Sequence, residues 1–392
     1  MYLKTFPLPK NRPLSLYLHL PFCAHKCPYC DFASQVENTL PEERYTHSLL
    51  KEIRAWRQWL ATDDRPLASI FIGGGTPSLF QPASIATILE VISDQFDLFP
   101  TCEITLEANP ESVTVERLSG YLEAGINRFS LGIQAFSDDR LKQLERPHRL
   151  AKAQAAIVAA REAGVDNLNL DLIFGTPGHT LEQWQGELFR ALEFSPEHLS
   201  CYQLTVEPGT PFHVRKMDRR LPEEEIQLEL FQETRSILSH HGYLPYEISN
   251  FAKPGYPCRH NDHYWLFGDY LGLGASAHGK WTGEDGATHR SVHSVSPESY
   301  MESMEADPPA IPPMTPVSPE EAASECLLMG LRRKEGMARA LYREIAGADL
   351  LERKPREVER FVEEGLVRVT PERVWLTDKG LLLGDGVMVA LV

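Results

Sequence analysis

The sequence predicts an α/β fold: an open six-unit (β/α)6 partial TIM barrel followed by a small winged-helix-like C-terminal domain. Three observations predict it. Short apolar runs alternate with helical patterns six times from Leu14 onward. Polar and charged side chains fall at the C-terminal ends of successive runs, the rim where parallel barrels carry their chemistry. The alternation then stops after Ser249, and a proline-rich stretch sets off the remainder.

A short tail, residues 1–13, precedes the first strand, Leu14–Leu20, and a cysteine-bearing loop follows it. Pro41 opens a helix with Tyr45, Leu49, Ile53, Trp56 and Leu60 on one face. The second strand, Ala68–Ile72, runs into Gly73-Gly74-Gly75-Thr76-Pro77. A helix through Ile85, Leu89 and Ile92 leads to Glu103–Glu107, and another around Val115–Leu122 leads to Arg128–Gln134. Helices near Ala151–Ala163, Leu181–Leu192 and Glu223–Leu238 lead to Asn167–Ile173, His198–Thr205 and Tyr243–Ile248. Strands joined by crossover helices are expected to be parallel. A closed eight-unit barrel would need two further units, so the barrel over residues 14–249 is expected to stay open.

Residues 250–305 show no clear helical period and read as a connecting segment rich in Gly, His and aromatic residues. Residues 306–319 hold six prolines and read as a linker. The C-terminal domain, 320–392, has helical stretches at Glu320–Arg332, Ala338–Ile345 and Pro355–Glu364. Two short strands follow, Leu366–Val369 and Arg373–Leu376, around a Thr-Pro-Glu turn. Helices followed by a hairpin suggest a winged helix. From Ser318 onward, 12 Lys and Arg face 14 Asp and Glu, a net of −2, where a nucleic-acid module should be basic. The domain reads instead as a packing or lid element.

The whole chain of 392 residues is acidic, with a formal charge of −16, which argues against non-specific nucleic-acid binding. Seven cysteines, four of them scattered (Cys102, Cys201, Cys258 and Cys326), do not form a disulfide framework. The N-terminus shows no apolar targeting region, and no run reaches the ~20 apolar residues of a membrane span. The expectation is a cytoplasmic location, with peripheral attachment to a membrane as the second option.

The chemistry-bearing stretch is YLHLPFCAHKCPYCDF, Tyr17 to Phe32. Cys23, Cys27 and Cys30 are spaced C-x3-C-x2-C. Three thiolates so close suit a cubane [4Fe–4S] cluster with one iron free of protein ligand; a structural zinc site wants four ligands and is closed. A zinc loop borrowing His19 or His25 is the competing reading.

This spacing resembles the radical S-adenosylmethionine (SAM) superfamily signature. The resemblance implies that SAM binds the open iron, that a reductant protein such as a ferredoxin or flavodoxin supplies an electron, and that SAM is then split. It also implies SAM contacts at Gly74, Gly75 and Thr76 after the second strand, Glu107 in LEANP, Gln134 in SLGIQAF, Arg146 in LERPHR and Asp171 in NLDLIFGTPG. Tyr17 and Tyr29 fall at matching places beside the cluster. Barrel and tail together are similar to the coproporphyrinogen III dehydrogenase (oxidase-like) subgroup. Those dehydrogenases carry a fourth cysteine, in C-x2-C-x-C, where this chain has Phe32, and a longer N-terminal arm. Both departures, with the motif HNxxYW at His260-Asn261-Asp262-His263-Tyr264-Trp265, resemble the HemW-type haem-chaperone branch. That branch implies haem as a further ligand, apo-haemoproteins such as membrane respiratory enzymes as recipients, and a homodimer as an option. His260 or His263 could offer an axial nitrogen, with Tyr264 and Trp265 against the porphyrin. Cys258 and His278 are weaker candidates. Three functions compete: haem chaperone, oxygen-independent coproporphyrinogen III oxidase, and a zinc-binding scaffold. Whether the chain is an enzyme at all stays open.

Overall fold

The structure, a computed structural model, describes residues 12–61 and 63–392. Most of the expected tail, residues 1–11, lies outside the described residues. Six strand–helix units follow one another: β1 (Leu14–Leu20), α1 (Glu42–Leu60), β2 (Leu67–Gly74), α2 (Pro82–Gln95), β3 (Leu98–Ala108), α3 (Val115–Glu123), β4 (Arg128–Gln134), α4 (Leu150–Glu162), β5 (Leu168–Phe174), α5 (Leu181–Glu193), β6 (His198–Gln203) and α6 (Glu224–His240). Neighbouring strands pair in parallel from β1 to β6. The predicted face of α1 is the one that packs inward: Tyr45, Leu49, Ile53, Trp56 and Leu60 are all buried. Local capping supports the helices, as at α5, where Thr180 and Gln183 form a reciprocal capping box.

The sheet runs further at both ends than the alternation alone suggests. Tyr243–Ile248, expected as a strand, yields only the two-residue strand Leu244–Pro245; β7 (Asn250–Ala252) follows and runs antiparallel to β6. Pro245 cannot donate to a ladder, which confines it to a sheet edge. At the other side β8 (Tyr270–Leu273) lies parallel to β1, pairing Leu16 with Leu271 and Leu18 with Leu273. The hairpin β9 (His278–Thr282) and β10 (Thr288–Val292) extends it antiparallel, and Thr315–Pro316 adds an edge pair. The stretches read as connection and linker thus contribute strands to the main sheet. Among the described residues the sheet has twelve strands, mixed in direction, and does not close on itself.

Between β7 and β8 a short helix, α7 (Arg259–Trp265), carries the HNxxYW motif. After α8 (Pro297–Glu305), the C-terminal domain forms a separate apolar core from α9 (Pro319–Arg332), α10 (Arg339–Ala346), α11 (Pro355–Glu363) and α12 (Gly384–Leu391). Its strands β11 (Val367–Val369) and β12 (Arg373–Leu376) pair as a hairpin, and Met337–Ala338 completes a three-stranded sheet, the winged-helix-like arrangement.

Candidate functional site

The C-terminal ends of the parallel strands surround one cavity. Cys23, Cys27 and Cys30 enter from the loop after β1, Gly74 to Thr76 from the end of β2, and Glu107 and Asn109 from the end of β3. Gln134, Arg146 and Asp171 complete the ring, with Tyr202 at the end of β6. The sequence spreads these residues over nearly two hundred positions; the parallel register gathers them.

The thiols have polar company. Arg146 Nη1 lies 3.3 Å from Cys27 Sγ, and Thr76 Oγ1 lies 3.6 Å from Cys23 Sγ. Burial, with Cys27 and Cys23 beside it, pushes the Cys30 thiol up, so holding three thiolates here calls for bound positive charge. Arg146 is mostly buried; burial opposes its charge, but Tyr29 and Cys27 outweigh that. Its Nη2 donates to Asn109 Oδ1 at 2.7 Å and to the Gly132 carbonyl at 3.2 Å, while its buried Nε has no partner. Asn109 in turn donates to Thr76 Oγ1 at 2.9 Å. A continuous polar chain therefore runs from Cys27 through Arg146, Asn109 and Thr76 to Cys23.

Two carboxylates form the wall opposite. Burial, reinforced by Asp171, pushes the Glu107 carboxyl up to about 8, although Gly74 N–H donates to it at 3.2 Å. Burial likewise raises Asp171, against hydrogen bonds from Ser130 at 2.9 Å and Asn169 at 2.8 Å. Paired buried carboxyls of this kind favour a ligand bringing hydroxyls or positive charge. At Gly75 a Cβ would stand 2.5 Å from the Phe22 carbonyl oxygen, so no side chain fits, and backbone lines the cavity. Gln134 holds φ at +67°, a conformation a non-glycine residue keeps only where its surroundings enforce it.

These features fit a [4Fe–4S] cluster on the three cysteines with SAM beside it. Of the two histidines that a competing zinc loop would borrow, His19 is already committed. His19 is buried and spends one ring nitrogen on Tyr17 Oη at 2.9 Å and the other on the Ala33 carbonyl at 2.8 Å.

Of the predicted SAM residues, Tyr29, Gly74, Gly75, Thr76, Glu107, Gln134, Arg146 and Asp171 line the cavity, and Tyr17 does not. Tyr17 points into the barrel below it, stacked on Phe71 with ring centroids 6.2 Å apart. The motif residues His260, His263, Tyr264 and Trp265 do not line the cavity either. His260 is buried, with Nδ1 3.0 Å from Ser69 Oγ and its ring 5.1 Å from that of Phe71. His263 Nε2 lies 2.7 Å from the Asp269 carbonyl oxygen. Burial lowers both imidazoles, to about 3 and about 4, so both are neutral over the ordinary pH range. Tyr264 packs on Trp265 at 4.3 Å, and Arg332 of the C-terminal domain lies over Trp265 at 4.6 Å. Asn109 and Tyr202 were not singled out in the sequence. Asn109 stands in the same LEANP run as Glu107, and that position was its only available signal.

Comparison with known proteins agrees with this geometry. The radical SAM superfamily model matches residues 17–189, and the HemN C-terminal domain model matches residues 317–383. The chain is 46% identical to heme chaperone HemW of Haemophilus influenzae, over 75% of this chain and 77% of that protein. It is 34% identical to heme chaperone HemW of Bacillus subtilis, over 96% of this chain and 99% of that protein. The chain belongs to the HemW family. A further relative is the mitochondrial radical S-adenosyl methionine domain-containing protein 1 of Bos taurus, at 31% identity over 98% of this chain and 89% of that protein. Coproporphyrinogen III oxidase (HemN) from Escherichia coli shares the fold, with a TM-score of 0.81 over 97% of this chain and 90% of that one. Its 24% identity extends the likeness no further than fold. Phe32, two residues after Cys30, is 61% exposed.

Proposed function

We propose that this chain is a haem chaperone, which takes up haem and hands it to apo-haemoproteins, and which holds a [4Fe–4S] cluster on Cys23, Cys27 and Cys30 with SAM on the cluster's open side. The observation that carries the reading is likeness along essentially the full length to proteins named for that role, at 34% identity over 96% of the chain. The cavity supports the cofactor part. When bound, cluster and SAM supply one-electron chemistry.

The chain's own groups then have distinct tasks. Arg146 and Thr76 donate toward cysteine sulfur and steady its negative charge. Gly74 and Gly75 let backbone come close to the SAM amino acid, and Glu107 accepts from its ribose hydroxyls. Asp171 and Gln134 orient the remaining polar edge, and Tyr29, packed on Phe212 at 6.1 Å, closes the side. A ferredoxin or flavodoxin as reductant, respiratory enzymes at the membrane as recipients, and a homodimer complete the proposal. Among the described residues, no helix is long and apolar enough to cross a membrane, so attachment there would be peripheral.

Titration of the anaerobically reconstituted protein with haem tests the reading. Saturable Soret changes at stoichiometric haem are expected, and their absence with cluster content intact overturns it. Oxidation of coproporphyrinogen III is the second reading, favoured by the shared fold. Phe32 weighs against it. Multiple turnovers to protoporphyrinogen with SAM and reductant would reverse the preference.

A further inference from the structure

Neither motif histidine lines the cluster cavity: His260 is buried beneath the barrel and His263 is half-buried with its Nε2 against the Asp269 carbonyl, so the imidazole nearest the cluster is another one. Among the described residues the cavity has one histidine in its lining, His25, between Cys23 and Cys27. His25 is exposed, and its Nε2 lies 3.1 Å from the Glu145 carbonyl oxygen. A carbonyl only accepts, so Nε2 carries a proton, and Nδ1 is the nitrogen left to offer a lone pair to a metal. Metal-binding histidines are set up in this way, with the second nitrogen donating to a carbonyl that fixes ring and tautomer.

The lip around it has the chemistry of a porphyrin seat. Phe32 is 61% exposed and Tyr202 41% exposed, two aromatic rings at the mouth of a cavity whose strands are otherwise buried. Exposed large apolar side chains grouped at a cleft mark a binding surface more often than chance exposure. Lys26 Nζ reaches the carbonyls of Phe32 at 3.1 Å and Ser34 at 2.8 Å, which fixes the Phe32 loop and leaves a positive charge at the same edge. A flat apolar ring with an iron at its centre and carboxylates on one edge matches that set.

Resting on the chaperone reading, we propose that haem sits across the mouth of the cluster cavity, with His25 Nδ1 as axial ligand, Phe32 and Tyr202 against the porphyrin, and Lys26 beside its propionates. The position places cargo directly over the cluster and SAM, so their redox or ligand state could bear on haem release. No covalent step is involved.

The test uses the full chain with its cluster reconstituted, titrated with ferric haem and followed by absorbance and electron paramagnetic resonance. His25→Ala is expected to lose the imidazole-ligated signature and to bind haem at least about tenfold more weakly, with added imidazole restoring the spectrum. Phe32→Ala and Tyr202→Ala should weaken binding several-fold while the ligand signature stays. His260→Ala and His263→Ala should keep it. Iron and sulfide content reports in each case that the cluster loop is intact. Should His25→Ala fail to hold its cluster, Phe32→Ala and Tyr202→Ala decide the matter, and wild-type affinity in both overturns the site. The site is also overturned if His25→Ala with a full cluster matches wild type, or if a motif-histidine variant alone loses the imidazole signature. A wild-type chain that takes up no haem overturns the chaperone reading itself, and the site with it.

Discussion

At the residue scale, six of the seven cysteines divide by what surrounds them. Cys23, Cys27 and Cys30 face the cavity and polar donors. Cys102, Cys201 and Cys326 are buried, and burial pushes each thiol up to a degree that keeps it protonated and inert. Changing any one of the first three to Ala should therefore abolish iron and acid-labile sulfide after reconstitution, and changing any of the other three should not; equal iron in all six would refute the assignment. Glu107 supplies a second test, without cofactor. Its carboxyl is raised by burial and by Asp171 from about 4.5 to about 8. A raised carboxyl favours folding while protonated, so its stabilisation is full below the ordinary value and is lost as pH climbs through about 8. Glu107→Gln should flatten that decline, by on the order of 5 kcal/mol above the window, while weakening SAM binding. Thermal melts on either side of the window, with and without SAM, would read both; a variant that declines like wild type would remove Glu107 as the cause. The cysteine loop and these carboxylates were legible in the sequence because they stand at strand ends, where a buried charge needs a reason. The direction in which His260 and His263 point was not, since a seven-residue helix rich in polar and aromatic residues has no apolar stripe to tell its inner face from its outer one.

At the scale of elements, six alternating units were readable because each helix has a clear inner face and each strand is apolar. The seventh parallel strand, β8, was not. Its sequence is only Tyr270-Leu-Gly-Leu273, too short and too glycine-rich to show a period, yet Leu271 is fully buried opposite Leu16. Its worth is tertiary: it extends the parallel sheet past β1, the strand that launches the cysteine loop. Leu271→Ala should cost about 2–5 kcal/mol, as for other buried leucines. It should also loosen the cluster loop, since β1 then loses packing on one side. Denaturant melts should show the loss, accompanied by faster release of iron to a chelator. Loss of stability with unchanged iron release would mean that β1 is held by β2 alone.

At the scale of the whole molecule, α7 stands between two cores. His260 and Cys258 reach into the barrel, where Cys258 Sγ and the His260 N–H both approach Glu103. From the other side, Arg333 of α9's C-terminus donates to Asp262 at 2.7 Å, Arg332 lies over Trp265, and Phe267 packs in the core of the C-terminal domain. The HNxxYW helix thus acts here as the joint between barrel and winged-helix-like domain. That division of labour makes a prediction at this scale. Arg333 is 8% exposed and Asp262 31% exposed, so the pair is partly screened. Arg333→Ala should cost about 1–3 kcal/mol, because it strands a half-buried carboxylate as well as removing an attraction. If the joint couples the two cores, calorimetry should show the single unfolding transition of the parent splitting in the variant, with the C-terminal domain melting first. Asp262→Ala combined with Arg333→Ala should recover part of the loss, since neither charge is then left without its partner. Cluster and haem content should stay at the parent level throughout, since the cavity lies at the opposite end of the strands. A fall in haem binding from Arg333→Ala alone, with one transition retained, would instead mean that the motif face and the cargo are directly linked.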